Sequence, residues 1–349
     1  MNARAHLVAA FVSLGIALTL APPPLCAATS KVAKADGYLD FRKTGCIIVD
    51  GQRITKGPNT KVSGAKSFEA IPAGYAVQVE GTRQADGSIL ASKITAKANG
   101  TESYEAQVLA GTNQAESTWV KAGKIVEQGK DGKTVDMGAL TTSGHDVDRA
   151  RRIIDQLLPS YIDPKSVRVY VIDNKEWNAM AMANFSIYVF NGIMKDLDDD
   201  ELAIVLGHEL THATHEHSRK QASKGMYQGI AGTVAQIGLS QVHNGMAKSV
   251  ATTTASLGLT TFGNVYSRTY EDQADRVGLR YVYEAGYDYK KGPALWQKFA
   301  AKYGDGNPLE NFVFGDHSLS TKRAAALQKE IKNNYSDPKK DPPTKIASR

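Results

Sequence analysis

The sequence is poor in cysteine and in long apolar segments. Only two of its 349 residues are cysteine, Cys26 and Cys46. Loss of Cys26 with an export signal would leave Cys46 alone, so no internal disulfide is expected. The charge-free stretch 225–247 is interrupted by glutamine, asparagine and glycine, a composition that does not suit the hydrocarbon of a bilayer. We therefore expect no transmembrane span in the mature chain.

Basic and aromatic side chains are not interleaved in the way that a nucleic-acid surface requires. The net charge is +6 at pH 7, a mild excess that forms no clustered basic stripe. Nucleic acid is therefore not expected as a partner. Peripheral contact with an anionic membrane or envelope polymer stays open, although no stripe supports it.

The first residues have the composition of an export signal. Arg4 is the only charged side chain before the apolar stretch 7–20, which is short for a membrane span. We predict a signal peptide over residues 1–28 and an exported protein, periplasmic or secreted. Lipoprotein anchoring through Cys26 is the alternative, although Leu25 is a poor residue directly before a lipidated cysteine.

The rest of the chain divides into two predicted domains. Residues 35–98 alternate apolar and polar residues, with a hairpin turn at Asp86-Gly87, and predict a small all-β, OB-like barrel. Residues 99–142 are interpreted as a connector. Helix and strand patterns mix over 143–335, which indicates an α+β domain, mainly helical with a small β-sheet. Residues 336–349, rich in lysine and proline, predict a disordered tail.

A metal-binding motif lies inside the helix-patterned run 199–218. Its sequence is His208-Glu209-Leu210-Thr211-His212. Side chains four residues apart on a helix share one face, so His208 and His212 can bind the same ion. Glu209 lies beside them, where a carboxylate can take a proton from water that the ion has acidified. The pattern therefore predicts a catalytic metal site.

The motif leaves a third ligand to be found, because a catalytic zinc ion normally has three protein ligands and one open position. His215 and His217 are near in sequence, but a continuing helix would carry them away along its axis. A pattern in which glycine breaks the helix would need a histidine where Ser218 stands. We interpret His215 and His217 as helix-surface residues or as residues that support a ligand.

A second helix-patterned segment, 265–286, supplies a carboxylate. Glu271 and Asp275 are four residues apart and therefore share one helix face. Glu271 can bind the ion, and Asp275 can accept the free ring N–H of a liganding histidine and so fix its tautomer. Alone, such a pair is usually a solvated helix face. Beside the upstream motif, we interpret it as part of the metal site.

The combination of HExxH and ExxxD resembles the gluzincin zinc metallopeptidase family that includes the CAAX prenyl protease, HtpX and the periplasmic BepA-type proteases. The resemblance covers most of residues 145–330. It implies a mainly helical metallopeptidase domain with one zinc ion held by His208, His212 and Glu271. It also implies polypeptide substrates, in particular unfolded or misassembled envelope proteins.

The stretch 178–194 is similar to a part of the same family that forms a strand at the edge of the cleft. An extended substrate would pair with that strand. The resemblance implies substrate contacts by Asn178, Ala179, Ile187 and Tyr188. Without the family, 187–190 is a short buried strand.

The stretch 316–323 is similar to the family's HPxxxxR element, with Ser318 in place of its proline. The resemblance implies that His317 and Arg323 stabilise the developing oxyanion, which is often the largest single contribution to catalysis. Without the family, 318–320 is the N-cap of a helix, and the two interpretations are compatible.

We predict from these features a zinc-dependent endopeptidase of exported or envelope proteins, active in protein quality control, with Glu209 as general base. The charge-free run 225–247 is interpreted as a helix pair that packs over the cleft, and whether 225–260 forms a lid stays open. Two alternatives stay open. One is a zinc-containing chaperone or adaptor that does not cut its clients, and the other is an envelope-ligand binding module that works through the N-terminal barrel.

Overall fold

The structure is a computed structural model that describes residues 32–43, 45–97, 103–128, 134–159, 162–220, 266–303 and 320–335. The predicted signal peptide, the predicted helix pair 225–247 and the predicted tail lie outside the described residues, as does His317.

An N-terminal barrel forms the first unit. Its strands are β1 Val32–Lys43, β2 Cys46–Val49, β3 Gln52–Ser63, β4 Ala76–Arg83 and β5 Ile89–Lys97. They close in the order β1-β2-β3-β5-β4, with β3 and β5 parallel. Residues 32–38 of β1 pair with β4 and residues 39–43 with β2, and the register against β2 shifts between Leu39 and Phe41. This irregularity lets one strand close the barrel. The predicted all-β barrel is confirmed.

The second unit combines a sheet with helices. Its helices are α1 Ser103–Ala122, α2 His145–Leu157, α3 Asn191–Asp196, α4 Asp199–Thr214, α5 Arg268–Glu284, α6 Gly292–Tyr303 and α7 Ser320–Asn334. Its strands are β6 Lys124–Gln128, β7 Thr134–Thr141, β8 Arg168–Ile172, β9 Ala179–Ala181 and β10 Ser186–Phe190, in the order β6-β7-β8-β10-β9. The predicted α+β fold is confirmed. In the part of the chain that the structure describes, no helix is both long and apolar enough to cross a membrane.

The described part of 99–142 is more regular than the expected connector. Helix α1 buries Ala115 and Trp119 against the sheet, which β6 and β7 extend as an antiparallel pair. Trp119 packs edge-on against Tyr188 of β10, with ring centroids 6.1 Å apart. The middle of this helix is rich in residues that form helices poorly, such as Gly111, so the sequence gives little sign of it. Packing on the sheet stabilises it instead.

Helices α4 and α5 cross at two glycines, which brings the two motif-bearing faces together. Helix α4 begins at a capping box, in which Asp198 and Glu201 each accept the other's backbone N–H. A Cβ atom on Gly278 of α5 would lie 2.7 Å from the backbone carbon of Gly207 and 2.7 Å from the backbone nitrogen of His208. Backbone atoms cannot swing aside as a side chain can, so this approach requires glycine.

We expect Gly278→Ala to lower the free energy of unfolding by about 1 to 3 kcal/mol, the usual cost of overpacking. The methyl group would push α5 away from the start of the metal motif, so the affinity for zinc should fall as well. Urea unfolding and zinc titration measure the two effects. Gly57→Ala is the control, because a Cβ atom there meets only the Leu90 side chain at 3.5 Å. A Gly278→Ala protein as stable as the control would show that the helices separate without cost.

The barrel contributes to the core of the second unit. Phe41, Cys46 and Ile48 belong to the same buried cluster as the apolar residues of α4 and α5. An ion pair lies beside this cluster, with Nη2 of Arg276 on α5 3.2 Å from Oδ1 of Asp50. The two units therefore share a buried interface along one side of α5.

Candidate metal centre

Three side chains from α4 and α5 converge in the interior. Nε2 of His208 and Nε2 of His212 lie 3.0 Å apart. The Glu271 carboxylate approaches both rings, with Oε2 3.5 Å from Nε2 of His208 and Oε1 3.4 Å from Nε2 of His212. All three side chains are buried. The structure therefore brings together the three residues that the sequence predicts as metal ligands.

The spacing and chemistry of these donors fit a zinc ion. Tetrahedral zinc with bonds of about 2.0 to 2.1 Å holds its ligand atoms roughly 3.3 Å apart. The three distances here, 3.0, 3.4 and 3.5 Å, lie close to that value. Two imidazole nitrogens and one carboxylate oxygen are also a usual ligand set of catalytic zinc sites. The residues present thus suit the metal that the motif implies.

Asp275 and Arg323 both contact the ring of His208. Nδ1 of His208 lies 3.0 Å from Oδ1 of Asp275. Arg323 donates to the same carboxylate, from Nε to Oδ2 at 3.0 Å and from Nη2 to Oδ1 at 2.7 Å. Nη2 also lies 2.9 Å from Nδ1 of His208. Because the guanidinium can only donate, we assign the carboxylate as the acceptor of both groups. Nε2 of His208 then presents its lone pair to the ligand cluster.

Electrostatics favour the protonation states that metal binding needs. Burial, followed by the positive charge of Arg323, lowers the pKa of His208 to about 3. Burial alone would raise the pKa of Asp275, but the charge of Arg323 and the hydrogen bonds from His208 and Arg323 outweigh it and lower this pKa to about 2. A neutral imidazole held by an ionised carboxylate is the form that binds a metal ion.

Comparison with known sequences assigns the region that carries this site. The sequence pattern described as peptidase family M48 matches residues 147–331, just over half of the chain. The chain belongs to peptidase family M48. The M48 region contains every residue of the site described so far. A second pattern, described as a domain of unknown function (DUF5666), matches residues 38–95 in the barrel.

Curated relatives of this M48 chain are named as proteases. It is 29% identical over 167 residues to the mitochondrial metalloendopeptidase OMA1 of Bos taurus, a match that covers 47% of this chain and 32% of that protein. It is 29% identical over 176 residues to metalloprotease YcaL of Escherichia coli K12, covering 48% and 63%. It is 27% identical over 170 residues to the beta-barrel assembly-enhancing protease of Yersinia pestis, covering 42% and 34%. The chain thus matches less than two thirds of the length of each. Family and relatives together support a metallopeptidase, with a metal ion that is usually zinc and with polypeptide substrates.

Glu209 lies beside the edge strand of the M48 sheet. Its Oε2 accepts a hydrogen bond from the backbone N–H of Ala181 in β9 at 3.1 Å. Backbone groups of Asn178 and Met182 bond to β10. Because bonding direction alternates along an antiparallel strand, the backbone groups of Ala179 and Ala181 point to the other side. Within the described ranges, β10 is the only strand that pairs with β9. Ala179 therefore lies in the outward register of an edge, as a substrate contact requires.

Ile187 and Tyr188 do not lie at the edge of the sheet, and their prediction as substrate contacts is wrong. They belong to β10, which pairs with β8 on one side and with β9 on the other. Both side chains are fully buried, and the Tyr188 ring stacks on Tyr170 with centroids 5.0 Å apart. A peptide can reach neither their backbone groups nor their side chains. The short strand β9 takes the edge position instead.

His215 and His217 are fully buried, which corrects their interpretation as helix-surface residues. Helix α4 ends at Thr214, before both histidines, and Glu216 adopts a positive φ of 59°. The chain therefore turns back instead of continuing along the helix axis. As a result, Nδ1 of His217 lies 2.9 Å from Nδ1 of His212. His217 contacts a predicted ligand, which agrees with the other interpretation, that it supports one.

We expect the metal-free protein to lose stability steeply as the pH falls below about 6.5, the ordinary histidine pKa. Burial lowers the pKa of His208 and His215 to about 3, and that of His217 well below its usual value. Such histidines stabilise the fold above the pKa of the unfolded chain, and this contribution is lost as the pH falls towards the folded-state pKa. In that window the unfolded chain takes up protons on these histidines that the folded protein does not. Asp40 opposes them with one proton, because burial raises its pKa to about 6.

The measurement is denaturant unfolding of the metal-free protein at about pH 7, 6 and 5. His215→Asn, which leaves the three predicted ligands intact, should reduce the slope of unfolding free energy against pH by about one proton. His145→Asn is the matched control, since the His145 side chain is 90% exposed. Equal slopes in the two variants would contradict the prediction.

Sequence reasoning missed three contributors to the site. Ala181 acts through its backbone N–H, which no sequence pattern can indicate. Trp296 lies under Arg323, with its ring centroid 3.5 Å from the guanidinium carbon. Gln273 is buried and bonds to both the barrel and His217. The one available signal was its position between Glu271 and Asp275, and that position does not predict burial.

Proposed function

We propose that this chain is a zinc-dependent endopeptidase in which Glu209 is the general base. The convergence of His208, His212 and Glu271, with ligand atoms 3.0 to 3.5 Å apart, carries the proposal. Glu209 directly follows one of these ligands in the sequence and lies against the edge strand. The M48 membership of residues 147–331 supports the same chemistry.

Each group at the site has a separate role in the proposed hydrolysis. Zinc bound at this site would supply a Lewis acid that polarises the scissile carbonyl and makes the attacking water more acidic. Glu209 takes the proton of that water and later delivers it to the leaving amine. The N–H of Ala181 fixes the orientation of the Glu209 carboxylate. His317 stays the proposed donor to the oxyanion, on the resemblance alone.

In this proposal Arg323 acts on the metal ligands and not on the substrate. Its guanidinium is engaged by the carboxylate of Asp275, which orients His208. Its remaining nitrogen, Nη1, lies 3.7 Å from Oε2 of Glu271. This geometry favours Arg323 as a residue that positions two ligands over the direct oxyanion contact that the resemblance implies.

The substrate would bind along β9 as an added strand. The outward backbone groups of Ala179 and the carbonyl of Ala181 are suitably placed for pairing with an extended peptide. Because Ala181 also contacts Glu209, a peptide paired there would pass close to the general base. Backbone pairing selects extended conformation more than side-chain identity. Unfolded or misassembled proteins are therefore the proposed substrates.

We place the protein outside the cytoplasm, in the periplasm or secreted, with a role in protein quality control. The apolar stretch 7–20 after Arg4 supports export. One relative is named for enhancing beta-barrel assembly, which fits a role in an envelope.

Metal analysis and a casein-hydrolysis assay on the same preparation test the proposal. We expect about one zinc ion per chain, loss of hydrolysis with a chelator, and recovery when zinc is returned. Protein that binds zinc and suppresses client aggregation without cutting casein or unfolded envelope proteins would favour the chaperone alternative. Hydrolysis that survives complete removal of metal would overturn the proposal.

A further inference from the structure

A continuous chain of buried hydrogen bonds runs from the barrel to the metal centre. Nε2 of Gln273 donates to Oδ1 of Asp40 at 2.6 Å. Oε1 of Gln273 lies 2.9 Å from Nε2 of His217. Nδ1 of His217 lies 2.9 Å from Nδ1 of His212. All four side chains are buried, so water does not compete for these contacts.

The metal end of the chain requires one placement of the hydrogens. If Nε2 of His212 binds an ion, its ring hydrogen lies on Nδ1 and is donated to Nδ1 of His217. His217 then carries its own hydrogen on Nε2 and donates it to Oε1 of Gln273. The amide nitrogen of Gln273 is left facing Asp40.

The barrel end requires the same placement independently. An ionised carboxylate only accepts hydrogen bonds, so Asp40 must face the amide nitrogen of Gln273 and not its oxygen. Oε1 of Gln273 must then accept from Nε2 of His217, which leaves Nδ1 of His217 as an acceptor for His212. The metal end and the barrel end therefore require the same position for every hydrogen in this chain of hydrogen bonds.

The barrel holds Asp40 in a fixed place. Asp40 lies at the register shift between β1 and β2, between Leu39 and Phe41. The backbone N–H of Gly51 donates to Oδ2 of Asp40 at 2.8 Å. Nη2 of Arg276 lies 3.6 Å from the same oxygen. The carboxylate is thus anchored by backbone geometry and by a charge from α5.

The two predicted histidine ligands differ in where their supporting carboxylate comes from. Nδ1 of His208 meets Asp275 directly, from within the M48 region. Nδ1 of His212 meets His217, and the first carboxylate along that chain of contacts is Asp40, within the DUF5666 match. A carboxylate behind a liganding histidine fixes its tautomer and strengthens it as a ligand.

We propose that Asp40 of the barrel is a positioning residue for the metal centre, which acts through Gln273 and His217 to keep the Nε2 lone pair of His212 directed at the ion. The barrel thereby raises the zinc affinity of the M48 unit. This inference rests on the zinc site of the proposed function.

The first experiment measures the Kd for zinc by competition with a chromophoric chelator. Gln273→Met keeps the length of the side chain and removes both of its hydrogen bonds. We expect it to raise the Kd about 10- to 100-fold, the usual effect of losing a partner of a ligand. Asp50→Asn is the matched control, because it removes an ion pair between the barrel and Arg276 but none of the three hydrogen bonds that link Asp40 to His212. Its positive φ of 46° is one that asparagine tolerates, and its Kd should stay within about twofold of wild type.

The second experiment needs no variant. Long-range proton–nitrogen NMR on wild-type protein labelled at histidine reports which ring nitrogen carries hydrogen. We expect the zinc-loaded protein to carry it on Nδ1 of His212 and on Nε2 of His217. This readout would not follow from a role of Gln273 in stability alone.

The outcomes separate the two proposals. A wild-type protein that binds no zinc overturns both of them. If wild type binds zinc, an unchanged Kd for zinc in Gln273→Met overturns the positioning role. An equal rise of this Kd in Asp50→Asn overturns it too, because the effect would then come from the docking of the barrel on the second unit. Hydrogen on Nδ1 of His217 in the loaded protein overturns it as well, even if Gln273→Met fails to fold. Zinc binding without peptide hydrolysis would overturn the proposed function alone.

Discussion

Replacing Glu209 by glutamine is expected to lower kcat/KM for peptide hydrolysis by about 100- to 10,000-fold, the usual contribution of a general base. The amide has the same shape as the carboxylate but cannot take a proton from water at neutral pH. Its oxygen can still accept the N–H of Ala181, which now lies 3.1 Å from Oε2. Fold and zinc content should therefore be retained. Hydrolysis of casein, with zinc measured on the same samples, checks the prediction.

The control for Glu209→Gln is Glu201→Gln on the same helix. Glu201 is also a buried glutamate of α4, but it belongs to the capping box and pairs with Lys298 at the far end of the helix. We expect this variant to lose about 1 kcal/mol of stability and to keep its activity. A Glu209→Gln protein that cuts casein at the wild-type rate would refute the assignment of the base.

Removing the charge of Arg323 should destabilise the metal-free protein by about 3 to 5 kcal/mol, the cost of leaving buried charges unpaired. Arg323→Met keeps much of the apolar stem, yet it leaves Asp275 without its two guanidinium bonds and Glu271 without a cation 3.7 Å away. Urea unfolding measures the loss. Zinc, which would bring positive charge back to Glu271, should reduce the difference between variant and wild type.

Arg152→Met is the matched control for that substitution. Arg152 also pairs with a carboxylate, Asp199, at 2.7 Å, but its side chain is 50% exposed. Exposed pairs contribute about 0 to 1 kcal/mol, so a small change is expected. The double variant Arg323→Met with Asp275→Leu should lose less stability than the sum of the single variants. Additive losses would show that Arg323 and Asp275 do not stabilise each other.

The metal ligands were predictable because their geometry is local to regular helices. His208 and His212 lie one turn apart on α4, and Glu271 and Asp275 lie one turn apart on α5. A pair at that spacing shares a face whatever the rest of the fold does. The sequence could not predict how closely the two helices approach, since that depends on Gly207 meeting Gly278 backbone to backbone.

Predictions failed where the outcome depends on the order of strands or on the end of a helix. Ile187 and Tyr188 form the strand pattern that was expected, but a pattern does not say whether a strand is central or at an edge. The end of α4 at Thr214 reverses the direction of the chain, which brings His217 to His212. The barrel strands could be predicted from their alternation, whereas the contact between Asp40 and Gln273 spans 233 residues of sequence and has no local signal.

The buried interface to which Phe41, Cys46 and Ile48 contribute has a practical consequence for assigning roles to the two units. Cutting the polypeptide after the barrel would remove these apolar side chains from the larger fragment. The apolar surface that they cover on that fragment would then be exposed to solvent. A catalytic defect of such a truncated protein could then come from misfolding or aggregation as well as from the loss of the barrel's effect on the metal centre. Single substitutions that leave this interface intact are therefore the better way to determine what the barrel does.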